Sequence, residues 1–522
     1  MSVPRVAIVG GGITGLAAAH RLLELQAVTG RKVEIVLIEP AQRLGGVFGT
    51  EFVDGYQLET GADMFITDKP WGVDLVRRLG LEDRLVVPEP RFRKSMILRN
   101  GRPVETPEAF NLMVPGKLWP IIKTPLLSPW GKLRLMLEPF IPCGSATTLA
   151  QDESLADFVR RRLGREAMER IVQPLVGGIY TADPEKLSLD ATLPRFRAME
   201  REFGSLYRGM RAQQKRKKTV GGESTPAGQG RGDVAVSGAR YGLFVSFQNG
   251  MSELTDRLVE RVSAGAAVWQ GRGVARVERE GTRYRLWLTS SNGVIDPTVQ
   301  KDAKVGESSR EAITEASELF DAVVVAVPSH RAATMFEVAF PELAGELQKI
   351  EYASSAVVVT AHRDDQIEHP LDCYGLVVPQ IERRRILAVS VLTKKFPQRG
   401  PAGRTVLRTF IGGALQPELM DLSDDELRRV VREELASIFG VHGEPELCRV
   451  VRYSQGMPQY HVGHQVLVRR IESLVAKERG IWVCGKAYRG VGIPDCIHDG
   501  EQAGEGVWET LFPALENPAP VA

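Results

Sequence analysis

The first 46 residues contain the pattern that most restricts how this chain can fold. An apolar run at 6–9 leads into Gly10-Gly11-Gly12-Ile13-Thr14-Gly15, an apolar-periodic helical segment follows, and a second apolar run ends at Glu39. In such a strand–turn–helix–strand unit, the first glycine permits the tight turn and the second lets a pyrophosphate approach the backbone. The third lets the helix pack closely on the strand. The pattern predicts a dinucleotide-binding βαβ unit.

Glu39 and the segment after it distinguish between dinucleotides. A carboxylate at the end of the second strand can accept hydrogen bonds from the adenosine ribose hydroxyls, and it disfavours the 2′-phosphate of NADP. Arg43-Leu44-Gly45-Gly46 follows as a second glycine turn. A turn of this kind after the ribose acid is typical of FAD proteins with two dinucleotide-binding domains, so we predict FAD rather than a nicotinamide.

Composition excludes several function classes. The 522 residues suggest two to four domains, and 43% hydrophobic with 25% charged residues is ordinary for a globular protein with a large core. Because 67 Lys and Arg balance 65 Asp and Glu, we expect no nucleic-acid partner. The five cysteines are scattered without CxxC spacing, so we expect no metal site. The sequence has no signal-peptide pattern and no apolar run of spanning length, so we expect a cytoplasmic enzyme.

The predicted fold class is α/β: a discontinuous, doubly wound (Rossmann-like) FAD-binding domain with an α+β substrate domain and a helical insertion. Buried-strand patterns at 321–328 and 481–485 would rejoin the N-terminal sheet. The predicted FAD-binding domain is 1–60, 240–330 and 450–522; the substrate-binding domain is 61–85, 172–210 and 331–449; the helical domain is 86–171; and 211–239, rich in Lys and then in Gly, Ser and Pro, is a flexible insertion.

The helical segment 86–171 mixes proline and tryptophan with apolar and basic residues. An exposed apolar, basic face of this kind can rest on a bilayer surface. A plain helical subdomain packed on its neighbour explains the pattern equally well.

The stretch 485–499 predicts a strand, a glycine turn and a helix start that present backbone N–H groups to the N1/O2 edge of a reduced flavin. Lys486 is either a cation beside the flavin, which would raise the flavin potential, or a side chain directed to solvent. Asp495 is expected to cap the helix. Cys484 is expected to be a buried thiol rather than a covalent flavin link, and His461 and His464 are expected to be packing residues.

Several motifs together resemble the oxygen-dependent porphyrinogen oxidases of haem biosynthesis, which include protoporphyrinogen IX oxidases and bacterial coproporphyrinogen III oxidases. The stretch 178–188 (GIYTADPEKLS) is close to specific for that family, and 491–497 (VGIPDCI) is nearer to the coproporphyrinogen type. The resemblance spans nearly the whole chain and also rests on 10–15, 43–46, 250–254, 458–464 and 488–497.

The resemblance implies noncovalent FAD and the aromatisation of coproporphyrinogen III to coproporphyrin III, or of protoporphyrinogen IX to protoporphyrin IX, with O2 as oxidant and H2O2 as product. It implies that Gly178 lines the tetrapyrrole cavity and that Arg93 or Lys94 meets a propionate. It also implies a helical domain in peripheral contact with the inner face of a membrane, and it leaves monomer and homodimer open. The predicted FAD-contacting residues are Gly10, Gly11, Gly12, Ile13, Thr14, Gly15, Glu39, Arg43, Gly45, Gly46, Gly61, Ala62, Asp63, Met64, Val274, Gly485, Val491, Gly492 and Ile493.

No catalytic side chain is predicted, because hydride would pass directly to flavin N5 while pyrrole N–H protons leave to solvent. Two alternatives remain. One is a flavin amine oxidase or carotenoid desaturase on the same fold. The other is a non-catalytic porphyrin-binding flavoprotein.

Overall fold

The structure, a computed structural model, describes residues 3–107, 110–111, 114–115, 119–144, 151–220, 244–290 and 313–513. Its strands are β1 (Arg5–Val9), β2 (Glu34–Glu39), β3 (Thr50–Val53), β4 (Tyr56–Glu59), β5 (Phe65–Ile66), β6 (Leu85–Val86), β7 (Ser95–Arg99), β8 (Arg102–Glu105), β9 (Phe110–Asn111), β10 (Val114–Pro115), β11 (Phe244–Phe247), β12 (Ala267–Gln270), β13 (Arg272–Glu280), β14 (Arg283–Ser290), β15 (Ile313–Phe320), β16 (Ala322–Val325), β17 (Tyr352–Arg363), β18 (Gly375–Val377), β19 (Ala388–Val391), β20 (Arg404–Gly412), β21 (Leu447–Pro458) and β22 (Ile481–Val483).

The helices of the described residues are α1 (Ile13–Thr29), α2 (Pro70–Arg78), α3 (Trp119–Lys123), α4 (Pro129–Met136), α5 (Leu155–Leu163), α6 (Arg165–Ala167), α7 (Gln173–Tyr180), α8 (Leu189–Thr192), α9 (Pro194–Phe203), α10 (Leu206–Val220), α11 (Ser252–Ser263), α12 (Ser329–Phe336), α13 (Pro341–Gln348), α14 (Leu392–Lys395), α15 (Asp424–Phe439), α16 (His464–Val475) and α17 (Ile493–Leu511). Each of these helices is too short or too polar to cross a bilayer.

A five-stranded parallel sheet in the order β12-β2-β1-β16-β22 forms the centre of the first domain. Its strands come from three distant parts of the chain, as predicted: Ala7 pairs with Val36 of β2 and with Val323 of β16, and Val323 pairs with Ile481 of β22. The strands read as continuous apolar runs because both faces are covered. Helices α1, α11 and α17 pack on one face, and α12, α13 and α16 pack on the other. The predicted α/β class and doubly wound sheet are confirmed.

The second domain is built on a seven-stranded sheet in the order β21-β17-β20-β19-β18-β7-β8. The amphipathic helix α15 covers it with a stripe that includes Leu427, Val431 and Leu435. That helix begins at a capping box, in which the Ser423 side chain accepts from the Glu426 N–H and the Glu426 side chain accepts from the Ser423 N–H.

The observed packing moves several predicted domain boundaries. Strands β7 and β8 lie within the predicted helical segment 86–171, but they extend the seven-stranded sheet because β7 pairs in parallel with β18. Helices α7 to α10 share one apolar core with α3 to α6, so 172–210 joins 119–171 in one helical body. This helical body also packs on the substrate sheet, through Ile97 of β7 and Val377 of β18. Helices α12 and α13 cover the dinucleotide sheet, and β21 pairs with β17, so both ends of the predicted segment 331–449 shift.

The predicted flexible insertion 211–239 begins differently in the structure. Residues 211–220 continue helix α10 and are not a loop. The rest of the insertion, 221–239, lies outside the described residues.

Candidate functional site

The three glycines of the first turn have different surroundings. Gly10 has φ +107°, a conformation that L side chains rarely adopt. A Cβ on Gly15 would lie 1.9 Å from the Gly10 carbonyl oxygen, so α1 packs against the turn as closely as glycine allows. A Cβ on Gly12 would meet no atom within 4 Å. The turn therefore opens at Gly12, beside the N-terminus of α1.

Glu39 closes this turn at the end of β2. Its carboxylate accepts from the Gly11 N–H at 2.7 Å and from the Ala41 N–H at 2.9 Å. A Cβ on Gly273 would lie 3.7 Å from Pro40, so the predicted contact residue Val274 adjoins the end of β2. The structure thus brings Glu39 and Val274, 235 positions apart in the sequence, to one side of the crevice.

The second glycine turn packs directly on the first. The Gly45 N–H donates to the Gly11 carbonyl at 2.8 Å, and both Gly45 and Gly46 have positive φ. The Arg43 guanidinium donates to the Gly46 and Phe48 carbonyls, each at 2.7 Å, so this arginine holds the turn in shape.

The segment 61–64 lies against the second turn. A Cβ on Gly61 would come within 2.3 Å of the Val47 carbonyl oxygen, Ala62 is exposed, and Met64 is partly buried. Asp63 is buried and ion-paired, with Lys395 Nζ at 2.9 Å and Arg408 Nη1 at 3.5 Å. Burial by itself would raise the pKa of Asp63, but these two cations from the second domain hold it well below its usual range.

The segment between β22 and α17, residues 484–492, forms a turn that we call the closing turn. Partly buried hydrogen bonds hold it in place. The Gly485 N–H donates to Asp499 at 2.6 Å. The Tyr460 hydroxyl donates to the Lys486 carbonyl at 2.7 Å and accepts from the Gly490 N–H at 2.9 Å.

The N-cap of helix α17 is Gly492, so the expectation that Asp495 caps the helix is wrong. Asp495 lies within the first helical turn, where its carboxylate pairs with Lys69 Nζ at 2.5 Å. A carboxylate inside the first helical turn still interacts favourably with the positive end of the helix dipole, which explains why the sequence pattern suggested a capping residue.

Two further expectations concern Cys484 and His464. Cys484 is buried in the sheet core, and burial raises the pKa of its thiol. His464 is buried, with Nε2 3.1 Å from the Tyr488 carbonyl, and its ring stacks on Tyr460 at 3.9 Å. Both residues occupy packing positions.

The predicted substrate residues lie on the second domain and the helical body. Gly178 is exposed on α7, and a Cβ there would lie 3.6 Å from Val377 of β18. Arg93 and Lys94 precede β7, the parallel neighbour of β18. Lys94 Nζ pairs with Glu105 at 2.8 Å on the surface, whereas Arg93 is partly buried.

Arg195 is a residue that the sequence reasoning missed. It lies in the first turn of α9 and acts electrostatically with Tyr180 and Asp68, while the Tyr180 hydroxyl donates to the Thr192 carbonyl. The side chain is exposed at the surface, and desolvation by the surrounding protein lowers the pKa of its guanidinium. The sequence offered no signal, because Arg195 is one of many arginines in a basic helix.

The residues present fit FAD. Gly12 leaves open space at a helix N-terminus where a diphosphate can accept backbone hydrogen bonds. Glu39 lies at the end of β2, where an adenosine ribose would be recognised. The same crevice is bordered by the backbones of the second glycine turn, of residues 61–64 and of the closing turn.

Comparison with known proteins agrees with this geometry. The family model described as flavin containing amine oxidoreductase matches residues 13–507. Coproporphyrinogen III oxidase of Bacillus subtilis (strain 168) is 32% identical, covering 97% of this chain and 98% of that protein. Protoporphyrinogen oxidase 2 of Arabidopsis thaliana is 26% identical, covering 97% and 94%.

Solved structures give the same picture of the fold. The crystal structure of a candidate protoporphyrinogen oxidase from Exiguobacterium sp. 255-15 superposes with a TM-score of 0.78 at 28% identity, covering 97% of this chain and 99% of that chain. A putrescine oxidase bound to putrescine superposes with a TM-score of 0.60 at 16% identity, covering 97% and 99%, and that likeness concerns the fold alone.

Proposed function

The chain belongs to the flavin-containing amine oxidoreductases and, among them, to the porphyrinogen oxidases, and on this premise we propose that it oxidises a porphyrinogen to the aromatic porphyrin in haem biosynthesis. When bound, FAD supplies the redox chemistry by accepting a hydride and returning the electrons to O2, with release of H2O2. The protein contributes binding, orientation and exclusion of water.

One observation carries the proposal. Val491 of the closing turn and Val377, the residue nearest to a Cβ built on Gly178, both pack against the apolar cluster of the helical body. We propose that these apolar residues and Gly178 line the space for the substrate. An apolar lining of this kind suits a flat macrocycle better than a small amine.

Carboxylate recognition is assigned to Arg93 and Arg195. Arg93 precedes β7, which pairs with the strand of Val377, and Arg195 interacts electrostatically with Tyr180. A guanidinium group matches the geometry of a carboxylate. We propose that they bind propionates of the substrate. Coproporphyrinogen carries more propionates than protoporphyrinogen, so these residues would influence the choice between the two.

The test is anaerobic mixing of the FAD-loaded protein with coproporphyrinogen III, protoporphyrinogen IX or benzylamine, followed at the visible flavin band. We expect bleaching with a porphyrinogen and none with benzylamine. Gly178→Val should keep FAD and lose porphyrinogen-driven bleaching by at least about tenfold, because its side chain would enter the ring space. Bleaching with benzylamine alone would favour the amine oxidase alternative, and no bleaching with any donor would favour a non-catalytic flavoprotein.

We also propose peripheral membrane contact through the helical body. Helix α4 and the turn after it leave Trp130 79% exposed and Phe140 77% exposed, with Leu133 and Leu137 also exposed beside them. Exposed apolar side chains grouped on one face can insert into a bilayer surface.

Vesicle co-sedimentation tests this contact. Trp130→Glu should lower the bound fraction on vesicles of anionic phospholipid. Phe52→Glu, which changes an equally apolar, 66% exposed residue on β3, should not. Equal sedimentation of both variants and the wild type would contradict the contact.

A further inference from the structure

Lys486 is the first residue after Gly485 in the closing turn, and the structure shows that it is half-buried. The hydrogen bonds from the Gly485 N–H to Asp499 and from the Tyr460 hydroxyl to the Lys486 carbonyl hold its backbone on both sides. Tyr460 is itself 2% exposed. The lysine side chain therefore extends from a rigid position.

The position of the turn in the sheet places Lys486 at the carboxyl ends of the parallel strands, beside the first turn of α1. The turn follows β22, which neighbours β16, and β16 neighbours β1. A Cβ on Gly485 would lie 3.9 Å from Thr14 Oγ1 in the first turn of α1, and Lys486 acts electrostatically on His330 in the first turn of α12. In a doubly wound sheet, the ligand binds outside these carboxyl ends.

The amino group has no counter-charge among the described residues. No ion pair joins Lys486 to a carboxylate there, and the two acids at the start of α17 are engaged elsewhere, Asp495 with Lys69 and Asp499 with Arg489.

The titratable groups that face Lys486 are both uncharged at neutral pH. They are His330 from α12, whose pKa burial lowers to about 4, and Cys496 from α17, whose pKa burial raises to about 12. Arg331, beside His330, adds a further positive charge to this region.

An ammonium group in this setting is unstable without an anion. Burial accordingly lowers the pKa of the Lys486 amino group. An anion in the crevice would reverse the effect, because an opposite charge within about 4–6 Å favours the charged form of a lysine.

We propose that Lys486 is the counter-ion of the reduced cofactor, and that its amino group takes up one proton when the flavin ring gains two electrons and a negative charge. In turnover, the electron pair leaves the substrate carbon as hydride, and one N–H proton of the substrate passes to the lysine nitrogen. On reoxidation, that proton and the hydride equivalent pass to O2 and form H2O2. The inference rests on the proposed function in one respect only, which is that a porphyrinogen N–H group is the proton donor.

The experiment is a reductive titration of FAD-loaded protein across pH 6–9 without any porphyrinogen. It measures the midpoint potential and the protons bound per two electrons. In Lys486→Met, we expect the equilibrium constant for two-electron reduction to fall at least about tenfold, which is about 30 mV for this couple. The variant should also bind one proton fewer than the wild type. Lys486→Arg should keep the higher potential yet also lack the extra proton, because arginine stays charged.

Lys477→Met is the matched control, since it removes an equal charge from a side chain that is 66% exposed just after α16. It should titrate like the wild type. If Lys486→Met matches this control in both potential and proton count, the proposal is wrong. If Lys486→Met does not bind FAD, the comparison of the wild type with Lys486→Arg tests the proposal instead. Equal numbers of protons bound per two electrons in these two proteins would then show that the proposal is wrong. Because no porphyrinogen is present, either outcome leaves the proposed oxidation to be judged separately.

Discussion

Gly12 and Gly15 lie three residues apart and are glycines for different physical reasons. The Cβ of any larger residue at Gly15 would collide with the Gly10 carbonyl, so the fold itself requires glycine there. Gly12 has ordinary extended dihedrals, with φ −75° and ψ 179°, and a Cβ at this position would meet no atom within 4 Å, so the fold accepts alanine. We therefore expect that the ligand, rather than the fold, requires glycine at position 12.

This difference gives a prediction for Gly12→Ala. The free energy of unfolding of the protein without FAD should change by less than about 0.5 kcal/mol, whereas FAD affinity should fall at least tenfold, or about 1.4 kcal/mol. Fluorescence titration with FAD and urea unfolding measure the two quantities. Gly345→Ala, in helix α13 and also with open space around it, should leave FAD affinity unchanged and raise the free energy of unfolding by about 0.5–1 kcal/mol, because alanine favours a helix interior. Unchanged FAD affinity in Gly12→Ala would show that no phosphate lies at this turn.

Asp63 shows how one carboxylate can join two domains. We expect Asp63→Asn to lower the free energy of unfolding by about 3–5 kcal/mol, because it leaves Lys395 and Arg408 buried without their shared anion. Asp365→Asn, which breaks an ion pair of a carboxylate that is 73% exposed, should cost less than about 1 kcal/mol. Equal costs in urea unfolding would mean that the buried cluster contributes no more than a surface pair.

At the scale of elements, the closing turn depends on a residue that follows β21 rather than on its own sequence. Tyr460 satisfies one carbonyl and one N–H of the turn through a single buried hydroxyl. Burial raises the pKa of that hydroxyl, so it remains protonated and able to donate at neutral pH. The backbone of the closing turn is thus shaped by a second element packed beneath it.

Tyr460→Phe should therefore weaken FAD binding as well as folding. We expect a loss of about 1–3 kcal/mol in unfolding free energy, because two buried backbone groups lose their partner. Tyr56→Phe removes a comparable hydrogen bond to Glu446 in the second domain and should leave FAD affinity unchanged. The idea that Tyr460 positions the turn fails if both variants bind FAD as the wild type does.

At the scale of the whole molecule, buried neutral histidines make stability depend on pH. His362 and His464 are 3% and 4% exposed, and burial lowers the pKa of each from 6.5 to about 4. The folded state therefore binds fewer protons than the unfolded state between these values. The stabilisation is fully present above pH 6.5 and is lost as the pH falls towards 4.

We expect the free energy of unfolding to decline from pH 7 to pH 4.5, by at most about 3 kcal/mol for each of these histidines. Urea unfolding at a series of pH values measures the decline. In His362→Leu, the slope should be smaller by the equivalent of one proton. His442→Leu, which changes an exposed histidine, should keep the wild-type slope, and identical slopes in all three proteins would contradict the assignment.

Elements whose sequence signal is local could be predicted from the sequence. The glycine turn and the buried strands at 322–325 and 481–483 each depend on neighbouring residues, and the structure has them as predicted. Domain boundaries were less accessible. Strand β7 carries no sign that its parallel partner, β18, lies 280 positions later in the sequence.

The sequence by itself determined the parallel sheet and the FAD crevice, because glycine spacing, apolar runs and a terminal acid act over a few residues through sterics and hydrogen bonding. Only the tertiary structure decided that Lys486 is half-buried rather than solvated, that Asp495 pairs with Lys69 instead of capping α17, and that Arg195 interacts with Asp68 and Tyr180. The burial and charge around a side chain are set by segments that are distant in the sequence, so no local pattern records them.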